Sequence, residues 1–226
     1  MRGVKTGGIS LLLALALAVA FPAALYAQSY QQYKTSRFNV ETADSYHHAA
    51  VSGIMAAALA ADSEIYQFRW TSTTHRAVIS AVHFSAANNG TAFAAGSSVF
   101  RARAARAWTV AGTGGTVVTP ADHSNKNHVA MATARVTEIR VASTAALGAG
   151  TKTLDAQNVA ALVSGVTVSA GAVIAPIQDM LSPHTTYPLI LSADEGFVIH
   201  ATVPATGTWK FHVEVEWFEI PIDQVR

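Results

Sequence analysis

The stretch TGTWKFHVEVEWFEI, residues 206–220, carries the clearest structural signal in the chain. From residue 209 to residue 217, apolar and polar side chains alternate without a break. The apolar side consists of Trp209, Phe211, Val213, Val215 and Trp217, and the polar side of Lys210, His212, Glu214 and Glu216. This period of two predicts a β-strand with one buried side and one solvent-facing side. We therefore expect this strand to lie against the core of a β-rich domain.

The alternation breaks near the end of the strand. Phe218 falls on the polar side and Glu219 on the apolar side. Such a slip is typical of a β-bulge or of the point at which a strand leaves its sheet. We expect residues 218–226, FEIPIDQVR, to project from the domain. The charged side of the strand beside them is then a candidate contact surface for another subunit.

Short strand-like segments, separated by glycine and proline turns, fill most of the remaining chain. EIYQFRW, residues 64–70, alternates as a strand does. Asn88, Asn89 and Gly90 tolerate the positive φ angles of tight turns, so residues 75–110 are predicted to contain a hairpin of paired strands. Many short strands with little helical signal predict an all-β fold. We expect an antiparallel β-sandwich of jelly-roll type.

The composition is that of a folded protein without a strong charge. The chain has 226 residues, of which 50% are hydrophobic and 13% charged, so it can bury a sizeable core. The formal net charge of +1 lacks the basic excess typical of nucleic-acid-binding proteins, and we expect no nucleic-acid partner. Cysteine is absent, which excludes disulfides, thiolate metal sites and cysteine nucleophiles.

The N-terminus has the three parts of a secretory signal peptide. Arg2 and Lys5 precede the apolar run of residues 9–21, and cleavage is expected between Ala27 and Gln28. The run is shorter than a membrane span of about 20 residues, so no stable span is expected after processing. The alternative is an uncleaved segment that is buried in an assembly. The predicted divisions are a signal peptide or hydrophobic segment, an extended arm and a β-sandwich domain, at residues 1–27, 28–46 and 47–226.

Nine histidines raise the question of a metal site. His47 and His48 are adjacent and point to opposite sides of a strand, so they do not readily share an ion. Asp122, His123 and His128 lie together in a long loop, where a zinc site and ordinary polar loop histidines are both possible interpretations. No HExxH pattern is present. We favour the second interpretation and predict no metal.

Motifs for catalysis are also missing from the sequence. No serine occupies a G-x-S-x-G elbow, and the glycines of residues 112–115 complete neither phosphate-binding pattern. Asp194 and Glu195 precede Gly196 and a strand, so they are predicted to form a turn between strands. We therefore predict a protein that is not an enzyme and that has no cofactor.

Three arginines follow one another along a predicted strand. Arg101, Arg103 and, after a one-residue slip, Arg106 could bind phosphate or carboxylate groups. The interpretation we favour is a solvated or subunit-facing side with ion pairs, given the neutral overall charge. The side chains of Glu214 and Glu216 carry the opposite charge and can meet the arginines across a subunit interface. The predicted interface residues are Arg101, Arg103, Arg106, Glu214, Glu216 and Phe218.

Three segments of the chain resemble a family of tailed-phage virion proteins. They are SGIMAAALAADSEIYQFRW at 52–70, EIRVASTAALGAGTKTLDAQ at 138–157 and LSADEGFVIHATVPATGTWKFHVEVEWFEI at 191–220. The resemblance implies a β-rich structural component of a capsid or tail, such as a decoration, head-fibre or minor tail protein, without enzymatic activity. It also implies a homo-oligomer whose partners are copies of itself and other virion proteins.

The signal-like N-terminus departs from this pattern, because virion proteins assemble in the cytoplasm. The alternative is therefore a secreted or cell-surface protein. It could be a subunit of an extracellular filament or layer, built through exposed strand edges. It could instead be a carbohydrate-binding module, in which case Tyr66, Trp70 and Trp108 should be exposed on one face to stack on sugar rings.

Overall fold

A computed structural model describes residues 44–56, 59, 62–118, 132–165, 172–181 and 188–224. These residues form thirteen β-strands and a final 3-10 helix. The strands are β1 (Asp44–Val51), β2 (Met55–Ala56), β3 (Ser63–Trp70), β4 (His75–Asn88), β5 (Ser97–Val110), β6 (Thr116–Val118), β7 (Glu138–Val141), β8 (Thr151–Leu154), β9 (Ala160–Gly165), β10 (Val173–Leu181), β11 (Leu189–Leu191), β12 (Glu195–Thr202) and β13 (Thr208–Pro221), and the helix spans Ile222–Gln224.

The domain begins slightly earlier than the sequence predicts. Residues 44–46, assigned above to the extended arm, are the first residues of β1 and pair with the end of β13. The signal-like segment, the rest of the arm and the loop with His123 and His128 lie outside the described residues. The prediction of a mainly β protein is confirmed.

The strands form two antiparallel sheets. Sheet A has the order β1-β13-β4-β10, with β2 beside β13 and β11 beside β4. Sheet B has the order β6-β7-β3-β12-β5-β8, with β9 also beside β5. Four of the pairings are nested along the chain: β1 with β13, β3 with β12, β4 with β10, and β5 with β9. Within each nested pair, one strand comes early in the chain and its partner comes late.

The core lies between the inner faces of the two sheets and is rich in aromatic side chains. Phe84 on sheet A and Phe100 on sheet B have ring centroids 4.6 Å apart, and Phe100 also lies 5.7 Å from Trp209. The ring of Phe68 on sheet B and the ring of Trp217 on sheet A pack in a T-shaped arrangement, with centroids 5.3 Å apart. Burying a large apolar side chain contributes about 1.5–3 kcal/mol, so these contacts hold the two sheets together as a sandwich.

The C-terminal strand β13 lies in the middle of sheet A. It pairs with β1 on one side and with β4 on the other. Its apolar residues, listed above, are buried, while its polar residues are partly exposed. The expected bulge is present, but it falls between Glu216 and Trp217, where the register with β4 shifts.

The prediction that residues 218–226 project from the domain is wrong for the part that the structure describes. Phe218 and the residues up to Pro221 pair with β4, and the Ile222 backbone N–H donates to the Thr74 carbonyl at 3.1 Å. The strand continues past residue 218 because Arg135 provides hydrogen bonds to the buried Glu219. Its carboxylate accepts hydrogen bonds from the Arg135 backbone N–H at 2.7 Å and from the Arg135 guanidinium at 2.9 Å. A carboxylate with such partners can be buried inside the sheet.

The predicted hairpin at residues 88–90 is also wrong. Gly90 has a positive φ of 90°, as the turn signal requires, and the Asn88 side-chain amide donates to the Thr91 carbonyl at 2.7 Å. However, β4 before the turn belongs to sheet A and β5 after it belongs to sheet B. The turn therefore carries the chain from one sheet to the other and does not pair two neighbouring strands.

Candidate functional site

Five of the six predicted interface residues lie on two opposite outer faces of the sandwich. Arg101 and Arg103 lie on β5 in sheet B, and Glu214, Glu216 and Phe218 lie on β13 in sheet A. Ala102 on β5 and Val215 on β13 belong to the core between the sheets, so the charged residues next to them project outward. The arginine and glutamate groups on these two faces therefore cannot meet within one molecule. Arg106 is the exception: the expected slip before it is absent, because β5 keeps its register with β12 and β8 up to this residue, and Arg106 therefore points to the other side of sheet B from Arg101, Arg103 and Ala105.

The three arginines already have carboxylate partners in their own chain. Arg101 and Arg103 both bind Asp62, the latter at 3.2 Å. Arg106 forms a two-pronged pair with Asp155 at 2.7 and 2.9 Å. The hydrogen bond from Arg106 holds the pKa of Asp155 below its usual value, and the same bond raises the pKa of Arg106.

A further carboxylate reaches the most exposed arginine. Glu195 lies 3.4 Å from Arg106, whose side chain is 59% exposed. Arg101 and Arg103 thus share the one carboxylate of Asp62 on the outer side of sheet B, while Arg106 pairs with two carboxylates on the other side of the sheet. The ion pairs of Arg101 and Arg103 agree with the favoured interpretation of a strand side with ion pairs.

A buried polar cluster lies beside Arg101 and Arg103, on the same outer side of sheet B. It consists of Glu64, Gln67, Lys152 and His200, and we call it the Glu64 cluster. Glu64 Oε2 accepts hydrogen bonds from Gln67 Nε2 at 2.5 Å and from Lys152 Nζ at 2.9 Å. Glu64 Oε1 lies 3.7 Å from His200 Nε2. One carboxylate therefore organises an amide, an amine and an imidazole away from water.

Loops from two parts of the chain cover the Glu64 cluster. Lys152 Nζ lies 4.5 Å from the centre of the Trp108 ring, a cation–π contact that also shields the amine from solvent. Thr113 and Gly148 form a β-bridge over Gln67, whose amide also donates to the Gly148 carbonyl at 3.0 Å. A Cβ atom on Gly112 would collide with the Gln67 amide, so glycine is required for this close approach.

Burial lowers the pKa of His200. Its side chain is 3% exposed, and this desolvation lowers its pKa, although Glu64 acts in the opposite direction. Among the described residues, His200 Nδ1 and Gln67 Oε1 have no hydrogen-bond partner. The Glu64 cluster thus holds two polar atoms whose hydrogen-bonding capacity is unused.

Sequence reasoning did not identify the Glu64 cluster. Glu64 and Gln67 are visible on β3 as polar residues in an otherwise apolar strand. Lys152 comes from β8, which is not a neighbour of β3 in sheet B. Nothing in the local pattern of either segment indicates that their side chains meet.

The outer face of sheet A carries carboxylates and histidines in neighbouring strands. His47 on β1 is the register partner of Glu216, and His83 on β4 is the register partner of Glu214. His83 Nδ1 also lies 2.6 Å from Asp179 Oδ1 on β10. This face therefore places the carboxylates of Glu214, Glu216 and Asp179 beside two imidazoles.

The aromatic residues expected for a carbohydrate site are not available on the surface. Tyr66 and Trp70 belong to the core between the sheets, and Trp108 is buried on the outer side of sheet B with Ala105 and Val198. Each of the three is at most 1% exposed. The expectation that they form a sugar-stacking face is wrong.

Within the described parts of the chain, no group of three or more histidine, aspartate and glutamate side chains is arranged to hold a metal ion. Asp122, His123 and His128 lie outside those parts, so the zinc alternative for that loop stays a prediction.

None of the helical structure described is long and apolar enough to cross a membrane. No protein-family model and no curated protein matches this chain.

Proposed function

We propose that the protein is a non-enzymatic structural subunit of a repeated assembly, and specifically a component of a tailed-phage virion. Capsid decoration, minor capsid and tail roles all agree with this proposal. Its support is the nested strand pairing, together with the sequence resemblance to virion proteins described above. The proposed partners are copies of the same chain and other virion proteins.

We also propose that the sandwich is a jelly roll. A jelly roll is a long antiparallel hairpin that is rolled up, so that its first strand pairs with its last and inner strands pair in turn. The four nested pairs, from β1 with β13 to β5 with β9, follow this rule. Double-sheet jelly rolls build viral capsid and lectin domains, among others. Because a shared fold does not by itself establish a shared function, the mechanism of assembly has to be argued from the surface residues.

Assembly in this proposal joins opposite faces of neighbouring subunits. Glu214 and Glu216 on sheet A of one subunit meet the arginine side of sheet B of the next. Such a head-to-tail contact is heterologous, and it produces rings or open filaments according to the rotation between subunits. On the arginine side, Arg101 and Arg103 share one carboxylate, that of Asp62, within their own subunit, so the pair carries one more positive charge than negative for the incoming glutamates.

Charge reversal on sheet A tests the proposal. We expect the double change Glu214→Lys and Glu216→Lys to abolish large particles while leaving the monomer folded, because both side chains are on the outer face. Particle size is measured by light scattering and electron microscopy, and folding by circular dichroism. The matched control is Asp223→Lys, an exposed charge reversal after the end of β13. Unchanged particles in the double variant would refute this interface.

A second candidate is a subunit of an exported filament or layer. The observation that favours it is the signal-like sequence with its apolar run at residues 9–21. The assembly mechanism is the same, but the protein is secreted or displayed at the cell surface. Intact mass and cell fractionation separate the two candidates: loss of residues 1–27 with recovery outside the cytoplasm favours export. The three aromatic residues whose exposure would support the carbohydrate-binding alternative, Tyr66, Trp70 and Trp108, are buried.

A further inference from the structure

We propose that Lys152 and Gln67 form an intramolecular isopeptide bond, with Glu64 as the group that transfers the protons. This inference concerns a covalent modification inside the subunit and does not depend on the proposed assembly. It rests on three features of the Glu64 cluster: the shared carboxylate oxygen, the burial of all three side chains and the chemistry of an amine beside a carboxamide.

The lysine amine and the glutamine amide are held next to the same atom, an oxygen of the Glu64 carboxylate. Lys152 Nζ and Gln67 Nε2 donate to the same oxygen, Glu64 Oε2, at 2.9 and 2.5 Å. The amine and the amide nitrogen are therefore no farther apart than these two hydrogen bonds laid end to end. Two groups held in this way react as if at very high local concentration, because the entropy of bringing them together has already been lost on folding.

The surroundings exclude the water that would compete in such a reaction. The side chain of Lys152 is 2% exposed and that of Glu64 is 6% exposed, while the residue Gln67 is 1% exposed. Trp108 covers the amine, and Gly112 and Gly148 cover the amide. A dry site also protects the product from hydrolysis.

The reaction balances without an oxidant or a cofactor. Glu64 takes a proton from the Lys152 ammonium, and the free electron pair on Nζ attacks Cδ of Gln67 to give a tetrahedral intermediate. Glu64 then returns a proton to Nε2, the Cδ–Nε2 bond breaks and ammonia leaves, while the remaining excess proton on Nζ passes to the ammonia or to solvent. The Nζ–Cδ bond becomes an amide. Glu64 thus acts as general base and then as general acid, and the chain loses one molecule of ammonia.

The product would tie β8, at one side of sheet B, to β3 across two intervening strands, β12 and β5. Such a link would stabilise the folded state of this cysteine-free chain as a disulfide does in other proteins, because it restricts the conformations of the unfolded chain. Unlike a disulfide, it does not respond to reducing agents.

Intact mass spectrometry of the full-length folded protein tests the proposal directly. We expect a mass lower than that of the sequence by one ammonia, and a tryptic peptide pair joined between Lys152 and Gln67 in the fragment spectra. Peptide mapping is required because Gln28, if it becomes the N-terminus, can also cyclise with loss of ammonia. A wild-type protein with the full mass and a free Lys152 amine overturns the proposal. A loss of water that maps to Lys152 and Glu64 overturns it as well.

Variants separate the chemistry from simple packing. Lys152→Arg keeps the positive charge beside Glu64 but removes the nucleophile, and Glu64→Gln keeps the shape but removes the proton acceptor. Both are expected to retain the full mass in this part of the chain, while Lys210→Arg, on the outer face of sheet A, still shows the loss and the joined peptides. An ammonia loss from Gln67 that persists in Lys152→Arg would contradict the proposal. If either variant fails to fold, the wild-type peptide map still decides the outcome.

Discussion

The buried carboxylate of Glu219 gives the sharpest prediction for stability. Its side chain is fully buried and is paired with Arg135, whose side chain is about one third exposed. Replacing Arg135 with methionine retains much of the side-chain volume but removes the guanidinium hydrogen bond to Glu219 Oε2. The bonds from the Arg135 backbone N–H and from the Trp217 indole N–H at 3.2 Å remain. The carboxylate is then buried with less compensation.

The expected cost follows from this geometry. A hydrogen bond to a charged group contributes about 1.5–3 kcal/mol. The partial exposure of Arg135 places the loss near the lower end, about 1.5 kcal/mol, because solvent screens the pair. Burial also raises the pKa of Glu219 above its usual value, although Arg135 and Trp217 act in the opposite direction. Removing Arg135 should raise this pKa further.

The pH dependence gives a second readout of the same change. A carboxyl whose pKa is raised on folding binds its proton more tightly in the folded state, so its ionisation lowers stability as the pH rises from about 4.5 through the folded pKa. The penalty of Arg135→Met should therefore be largest at neutral pH and should shrink as the pH falls toward the ordinary glutamate value.

Chemical denaturation of the monomer at several pH values measures both effects. The matched control is Arg106→Met, which removes an arginine from an exposed pair and should leave the unfolding midpoint unchanged. Equal stability of Arg135→Met and Arg106→Met at neutral pH would refute the reasoning. A penalty that grows as the pH falls would refute it too.

Two further predictions concern the Glu64 cluster. Because burial lowers the pKa of His200, the unfolded state takes up its proton first, and stability should fall by up to about 1.4 kcal/mol per pH unit below pH 6.5. Thermal melts should show less of this loss in His200→Gln, whereas His212→Gln, on the outer face of sheet A, should resemble the wild type. Gly112→Ala should cost about 1–3 kcal/mol in denaturant titrations, because its Cβ meets the Gln67 amide. Gly96→Ala, whose Cβ would meet only the Pro204 side chain at 3.4 Å, should be close to neutral; equal losses in the two alanine variants would contradict this account.

Strand β13 was predictable because its signal is local and complete. Each buried residue between Trp209 and Trp217 is followed by a polar one, and a single face of the sheet explains the whole pattern. The turn at residues 88–90 was only half predictable. Asparagine and glycine report the local φ angles that a turn requires, but not whether the next strand joins the same sheet.

The failures at Glu219 and in the Glu64 cluster have one physical cause. The polar residue at 219 indicates a bulge or the end of a strand when only the local pattern is considered, because its partner Arg135 lies far away in the sequence. Likewise, Glu64 is neutralised by Lys152 from a strand that is not its neighbour. Buried charges depend on long-range partners, which local periodicity does not reveal.

The position of β13 has a consequence for how the protein is made. This strand lies between β1 and β4, yet it follows every other described strand along the chain. Until it emerges, β1 and β4 lack the strand that joins them, and the aromatic residues on the inner face of sheet B lack their covering layer. Contacts between such distant parts of a chain form slowly. The nascent chain therefore emerges with its future core exposed, and sheet A closes only once β13 has left the ribosome.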